Sequence, residues 1–244
     1  MISNAEIKRV KALQSKKFRD ESGLFVVEGE KMVAEALESG LQVEAVYRRD
    51  EIGEQAMARI SSLNSPSPVL AVVRQAAAPD IDEIRSFVRS CGRDMLAIAL
   101  DEIRDPGNLG TIIRLADWYG IDAVFCSAGT VELYNPKVVQ STMGAIFRKK
   151  VIYCDLNNIF DIFASNGLPI YGTFLEGEDI YRSELSSGGL IVMGNEANGI
   201  SPELRSRISA KLFIPPYPGN RKTAESLNVA IATAITVSEF RRRR

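Results

Sequence analysis

From Met95 onward, short apolar runs alternate with helical segments, and this alternation restricts the fold more than any other feature of the chain. Residues 95–100, 123–126, 150–153, 170–174, 190–193 and 212–214 read as strands, with helices between most of them. Apolar strands alternating with helices form a mostly parallel sheet covered on both faces. The expected class is α/β. Residues 2–73 alternate as well, with a basic helix over 2–14, strands at 24–27, 43–47 and 69–73, and helices over 30–39 and 54–63. Asn64-Ser-Pro-Ser-Pro68 is clear punctuation. At 244 residues the chain is long for one domain of roughly 150 residues and suits two small ones. The stretch 74–92 holds the expected boundary, giving domains 1–90 and 91–244. The last helix, over 226–242, carries Leu227, Ala230, Ile231 and Ala234 on one stripe and is expected to be mostly buried.

Composition removes several function classes. The chain has no histidine, which excludes imidazole-based triads and histidine metal sites. Cys91, Cys126 and Cys154 are widely spaced and form no C-x-x-C pair, so neither a thiolate metal site nor a disulfide framework is expected. Cys126, within an apolar run, reads as a buried small hydrophobe. No apolar run approaches the roughly 18 residues of a membrane helix, and the amino terminus lacks a signal core. A soluble, cytoplasmic protein is expected. With 30 basic and 31 acidic residues the formal net charge is −1, so bulk charge does not announce a nucleic-acid binder. Its distribution is more telling. Lys8, Arg9, Lys11, Lys16, Lys17 and Arg19 crowd the first 20 residues, and 148–150, 221–222 and 241–244 are further basic spots. Together they are compatible with a local polyanion track.

Three marked loops follow strands of the second series. In the first, Asp105-Pro106-Gly107 is turn chemistry ahead of a helix that opens at Asn108. Leu109, Ile112, Ile113 and Ala116 form its apolar stripe, and Arg114 lies off that stripe. Strand, turn and helix bring an amide and a guanidinium to the rim of a sheet, where open α/β sheets bind ligands. The plain alternatives are a helix N-cap for Asn108 and a surface charge for Arg114. The second loop, 193–203, fits neither a P-loop nor G-x-G-x-x-G. Glu196 sits just past its strand, and Ser201-Pro202 opens a helix. In the third, a strand leaves through prolines at 215–218 and re-enters helix at Ser226, a candidate N-cap. The amides of that helix start suit an anionic or adenine-bearing ligand.

Taken in order, N-x-G-x-x-x-R (Asn108, Gly110, Arg114), G-N-E-x-x-G-I-S (194–201) and I-P followed by E-S-L-N-V-A (214–215, 225–230) resemble the SpoU or TrmH group of SPOUT methyltransferases. Tyr134-Asn-Pro-Lys137, Ser141 and Gly144-Ala-Ile-Phe147 resemble the same family's stretch between its first two motifs. The likeness covers about residues 95–242. Gly23-Leu-Phe-Val-Val-Glu-Gly29 with Lys31 more loosely resembles its amino-terminal RNA-binding domain. The resemblance implies a trefoil knot in the carboxy-terminal part, a homodimer formed through it, and S-adenosylmethionine as cofactor, without a metal. It implies methyl transfer to a ribose 2′-hydroxyl in RNA, and the added amino-terminal domain and middling charge favour ribosomal RNA over transfer RNA as substrate. By position, Thr173, Phe174, Leu175, Gly194, Ile214, Ser226 and Leu227 would hold the cofactor. Asn108, Arg114, Glu196, Ser226 and Asn228 match the family's functional positions. The loop from Ile214 to Ser226 is about four residues longer than the family's usual form.

Without histidine, the candidates to accept the hydroxyl proton are Arg114, Glu196 and water. Arginine is effectively always protonated in proteins, so Arg114 is read as binding a neighbouring phosphate and lowering the hydroxyl pKa. Ser226 and Asn228 are read as orienting groups, since a serine nucleophile needs a base. The competing readings are a catalytically silent homologue, a transfer-RNA enzyme, and a doubly wound nucleotide-binding enzyme such as a dehydrogenase. Asn108 and Arg114 together count against the first, and the missing glycine pair counts against the last.

Overall fold

The computed structural model describes residues 2–218 and 224–242. Of the basic spots expected from the sequence, Arg221, Lys222, Arg243 and Arg244 lie outside the described residues, as does the 219–223 part of the long third loop. The chain divides into two compact units. One comprises Met1–Ala77 with Glu132–Arg148, the other Ala78–Val131 with Lys149–Arg244.

The first unit is built on a three-stranded sheet of β1 (Leu24–Glu28), β2 (Val43–Arg48) and β3 (Val69–Arg74). β3 is the centre strand and runs antiparallel to both neighbours. Its first five residues are buried, as a centre strand covered on both faces requires. The helix Asn4–Ala12 starts where Ser3 Oγ accepts the Glu6 amide, and it buries Ile7 and Val10 in a cluster with Met57, Ile60 and Leu70. A second helix, Lys16–Ser22, was not expected from the pattern. It carries Arg19, which is only 2 % exposed. Arg19 donates to both carboxylate oxygens of Glu132, at 2.8 and 2.5 Å, and to the Leu13 carbonyl at 2.8 Å. This corrects the assignment of Arg19 to a polyanion track. It is a buried tie between the amino-terminal sheet and the 132–148 segment. The same segment stacks Tyr134 on Phe25 at 4.6 Å between ring centroids. Gly144 (φ 93°) fits so closely there that a Cβ would fall 1.9 Å from the Glu35 carboxylate.

The second unit contains a six-stranded, all-parallel sheet in the order β6-β5-β4-β8-β7-β9. Its strands are β4 (Leu96–Leu100), β5 (Ala123–Cys126), β6 (Lys150–Tyr153), β7 (Ile170–Asp179), β8 (Gly189–Met193) and β9 (Ala210–Phe213). Ala97, Ala99, Phe125 and Val192 face a core that takes in Ile84 and Val88 from the helix Ile81–Cys91 and Phe160 and Phe163 from the helix Leu156–Ser165. Leu96, Ile98 and Leu100 alternate to the other face and are equally buried. The parallel α/β expectation holds. Because every strand points the same way, the exits of β4, β8, β7 and β9 share one edge: Leu100 pairs with Met193, Gly172 with Val192, and Thr173 with Leu212.

Two elements differ from the sequence reading. β7 does not end at Phe174 but runs to Asp179. It leaves the ladder after Thr173 and rejoins the same partner when Glu178 pairs with Leu212. The four residues between project at the sheet edge, and Gly177 packs against the Lys211 backbone, where a Cβ would meet the carbonyl oxygen at 2.6 Å. The last helix spans Val229–Arg242 rather than starting at Ser226. Asn228 is its cap, accepting from the Ala230 and Ile231 amides at 2.9 and 3.3 Å. The buried face carries Val229, Ala230, Thr233, Thr236, Val237 and Phe240, whereas Leu227 and Ile231 of the expected stripe are exposed. Threonine can occupy that face because Thr233 and Thr236 return their hydroxyls to the Val229 and Ala232 carbonyls.

Candidate active site

The exit of β4 builds one side of the site. Asp105 caps the helix Pro106–Trp118 by accepting the Asn108 amide at 2.8 Å, with Pro106 in the first turn. Asn108 is therefore not the cap, and its own side chain is free to act elsewhere. That side chain donates from Nδ2 to Glu196 Oε1 at 2.7 Å and accepts at Oδ1 from Asn228 Nδ2 at 2.9 Å. Three residues separated by 88 and 120 positions in sequence thus form one hydrogen-bonded chain.

The direction of that chain is set by backbone. The Oδ1 of Asn228 is occupied by the amides that open the last helix, so only its Nδ2 remains for Asn108. Asn108 must answer with its oxygen, which leaves its NH₂ to face Glu196. Glu196 receives a donor on Oε1, the arrangement that suits an ionised carboxylate. The second oxygen of Glu196 has no partner among the described residues, and the side chain is exposed at the rim.

Arg114 lies two turns along the same helix, exposed, with no hydrogen bond or ion pair among the described residues. It is available to a ligand. Ser226 is exposed ahead of the helix, and the cap expected of it is supplied by Asn228. Ser201 precedes Pro202 but caps nothing with its hydroxyl. Its amide instead donates to Asp101 Oδ2 at 2.7 Å.

Of the residues expected to hold a cofactor, Thr173, Phe174 and Leu175 lie where β7 leaves the ladder, Gly194 follows β8 and Ile214 follows β9, while Ser226 and Leu227 precede the last helix. Thr173 donates to the Val192 carbonyl at 3.2 Å and sits opposite Leu212, two residues before Ile214. Gly194 follows β8, and a Cβ there would lie 2.3 Å from the Gly199 carbonyl carbon, so the loop closes only over glycine. Leu175 and Leu227 expose apolar side chains, and Ile214 is half-buried. Phe174 turns its ring into the protein, with Arg205 at 4.8 Å and Lys211 at 5.5 Å over it, leaving its backbone at the rim.

The thiols take no part. Burial pushes Cys126 far up and Cys154 up to about 12, so both are neutral thiols at physiological pH. No cluster of metal-ligating side chains occurs among the described residues. Most of the expected basic spots are engaged. Arg9 pairs with Glu6, Lys16 with Asp20, Lys17 with Glu21, Arg148 with Glu35 and Arg242 with Glu239, while Arg241 donates to the Tyr119 and Gly120 carbonyls. Lys8 and Lys11, exposed on one helix, carry no ion pair among the described residues.

Sequence and fold comparisons place the chain among known proteins. Residues 95–238 match the SpoU rRNA methylase family, and residues 4–77 match the MRM3-like substrate binding domain. The 23S rRNA (guanosine(2553)-2′-O)-methyltransferase RlmP of Bacillus subtilis is 31 % identical over 98 % of this chain and 96 % of its own length. An rRNA methyltransferase of Sinorhizobium meliloti, solved with AdoMet bound, superposes with a TM-score of 0.86 at 30 % identity, covering all of this chain and 96 % of that one. The SpoU methyltransferase AviRb of Streptomyces viridochromogenes, in complex with AdoMet, gives 0.84 at 25 % identity over 99 % and 98 %. The fold, the hydrogen-bonded chain at its rim and these matches lead to one conclusion: the chain belongs to the SpoU rRNA methylase family.

Proposed function

We propose that this protein is an AdoMet-dependent methyltransferase that modifies a ribose 2′-hydroxyl of RNA, with ribosomal RNA as its substrate. The observation that carries the reading is the Asn228–Asn108–Glu196 chain, which holds a carboxylate with one free oxygen at the exit edge of a parallel sheet. Thr173, Leu175, Gly194, Ile214, Ser226 and Leu227, with the Phe174 backbone, would hold AdoMet, the exposed leucines suiting an adenine face. When bound, AdoMet supplies a methyl group already activated on a sulfonium.

The protein's task is then positioning and proton management. Glu196 accepts the 2′-hydroxyl proton on its free oxygen. A carboxylate is a weak base toward a resting alcohol, so the transfer relies on the positive charge of Arg114 lowering the hydroxyl pKa. Arg114 binds a phosphate beside the target ribose and its positive charge favours the developing alkoxide. The first unit holds RNA, with Lys8 and Lys11 as phosphate contacts, and the second carries out the transfer. The carboxy-terminal part is knotted and forms a homodimer. Exposed Trp118 (84 %) and Ile231 (51 %), on helices that pack against each other, support a self-association surface. A cytoplasmic setting accords with the absence, among the described residues, of any helix able to cross a membrane.

The test is transfer of a radiolabelled methyl group to unmodified ribosomal and transfer RNA. Label in ribosomal RNA supports the reading, label in transfer RNA alone replaces the substrate, and binding of NAD(H) without AdoMet overturns it.

A further inference from the structure

Glu196 is held from two sides, and only one of them is Asn108. The residue before it, Asn195, makes four hydrogen bonds of its own at the turn. Its amide and carbonyl form a closed bridge with Gly199, at 3.0 and 2.9 Å. Its side-chain Oδ1 accepts from the Ala197 and Asn198 amides at 2.9 and 3.1 Å. With the oxygen so occupied, Nδ2 must point away from the loop, and it donates to the Glu102 carbonyl at 2.8 Å.

Glu102 is one of two non-glycine residues with positive φ among those described, at 56°. Its amide is tied to Ser127 Oγ at 2.9 Å. A left-handed residue two positions past the end of a strand turns the carbonyl off the path the strand would have given it. Here the turned carbonyl meets Asn195. The β4 exit therefore grips the 193–201 loop at three successive points: Asp101 on the Ser201 amide, the Glu102 carbonyl on Asn195, and Asn108 on Glu196. Asn195 is the middle grip and the one adjacent to the carboxylate.

We infer that Asn195, acting through the Glu102 carbonyl, is a positioning residue that sets Glu196 against Asn108 and keeps its free oxygen toward the substrate. This rests on the proposed role of Glu196. The strained backbone at Glu102 serves the site because a relaxed residue would withdraw the acceptor that Asn195 needs.

Asn195→Asp separates this role from general loop stability. It keeps the two contacts that Oδ1 accepts, removes the donor, and sets a carboxylate against a carbonyl. In methyl transfer it should lower kcat by about 10- to 100-fold. AdoMet affinity, the RNA KM and the melting temperature should stay near those of the parent. Without substrate, the Asn108 side-chain amide resonance reports the bond to Glu196 directly and should shift in Asn195→Asp. An unshifted resonance overturns the inference even if the parent transfers no methyl. In an active parent it is also overturned by unchanged kcat, or by kcat, melting temperature and AdoMet affinity falling together.

Discussion

At the scale of single residues, two arginines carried on helices have opposite duties. Arg19 sits among lysines in a basic segment, yet it is buried and spans three acceptors. Breaking a buried pair strands the other charge, so Arg19→Ala should destabilise the first unit by about 3–5 kcal/mol in denaturant unfolding. The salt dependence of RNA binding by the folded fraction should not change. A loss under 1 kcal/mol would show that Glu132 rehydrates freely. Arg114, by contrast, is exposed and without a partner among the described residues. If a fixed positive charge beside the ribose is its main contribution, Arg114→Lys retains measurable methyl transfer while Arg114→Ala does not. Complete loss in Arg114→Lys with intact RNA binding would assign the planar guanidinium a geometry-specific role.

At the scale of elements, the helix Asn4–Ala12 is fastened to β2 by a three-residue polar cluster. The guanidinium of Arg9 and the hydroxyl of Tyr47 both bond to Glu6, and together they lower the Glu6 pKa. Burial, then the bond to Glu6, pushes Tyr47 up to about 12. Stability from Glu6 is present above the ordinary glutamate pKa and lost as pH falls through its lowered value. Stability from Tyr47 is complete below the ordinary tyrosine pKa, near 10, and lost as pH rises toward 12. Thermal unfolding of the parent should therefore show a loss between about pH 10 and 12 that Tyr47→Phe lacks. Identical alkaline slopes in the two proteins would refute this assignment.

Element identity was largely legible because apolar runs such as those of β4, β5 and β8 are short, continuous and bounded by turn residues. Two things were not. The return of β7 to β9 after Thr173 depends on Gly177 fitting against a backbone 34 residues away, a contact that no local pattern encodes. The buried face of the last helix was misread because threonines, polar by composition, satisfy themselves within the helix. The site residues Asn108, Glu196 and Asn228 were found through their motifs. Their mutual bonding was hidden by separations of 88 and 120 residues, and Asn195 carried no signal beyond its place beside Glu196.

At the scale of the whole molecule, the net charge is near zero and several basic residues of the amino-terminal segment are held in ion pairs. Self-association through Trp118 and Ile231 would cover the most exposed apolar side chains of the second unit's helices. Trp118→Glu should convert a dimer to a monomer in sedimentation, with the fold retained by circular dichroism. A parent that sediments as a monomer would remove this surface from the account.

The most direct test of the central claim is the chemical identity of the product. Unmodified ribosomal RNA is incubated with the protein and methyl-labelled AdoMet, digested to nucleosides and resolved by mass spectrometry, for the parent and for Glu196→Gln. The account predicts label in a single 2′-O-methyl nucleoside with the parent, and at least a hundredfold less with Glu196→Gln at undiminished RNA binding. Label on a base, or full ribose methylation by Glu196→Gln, would contradict it.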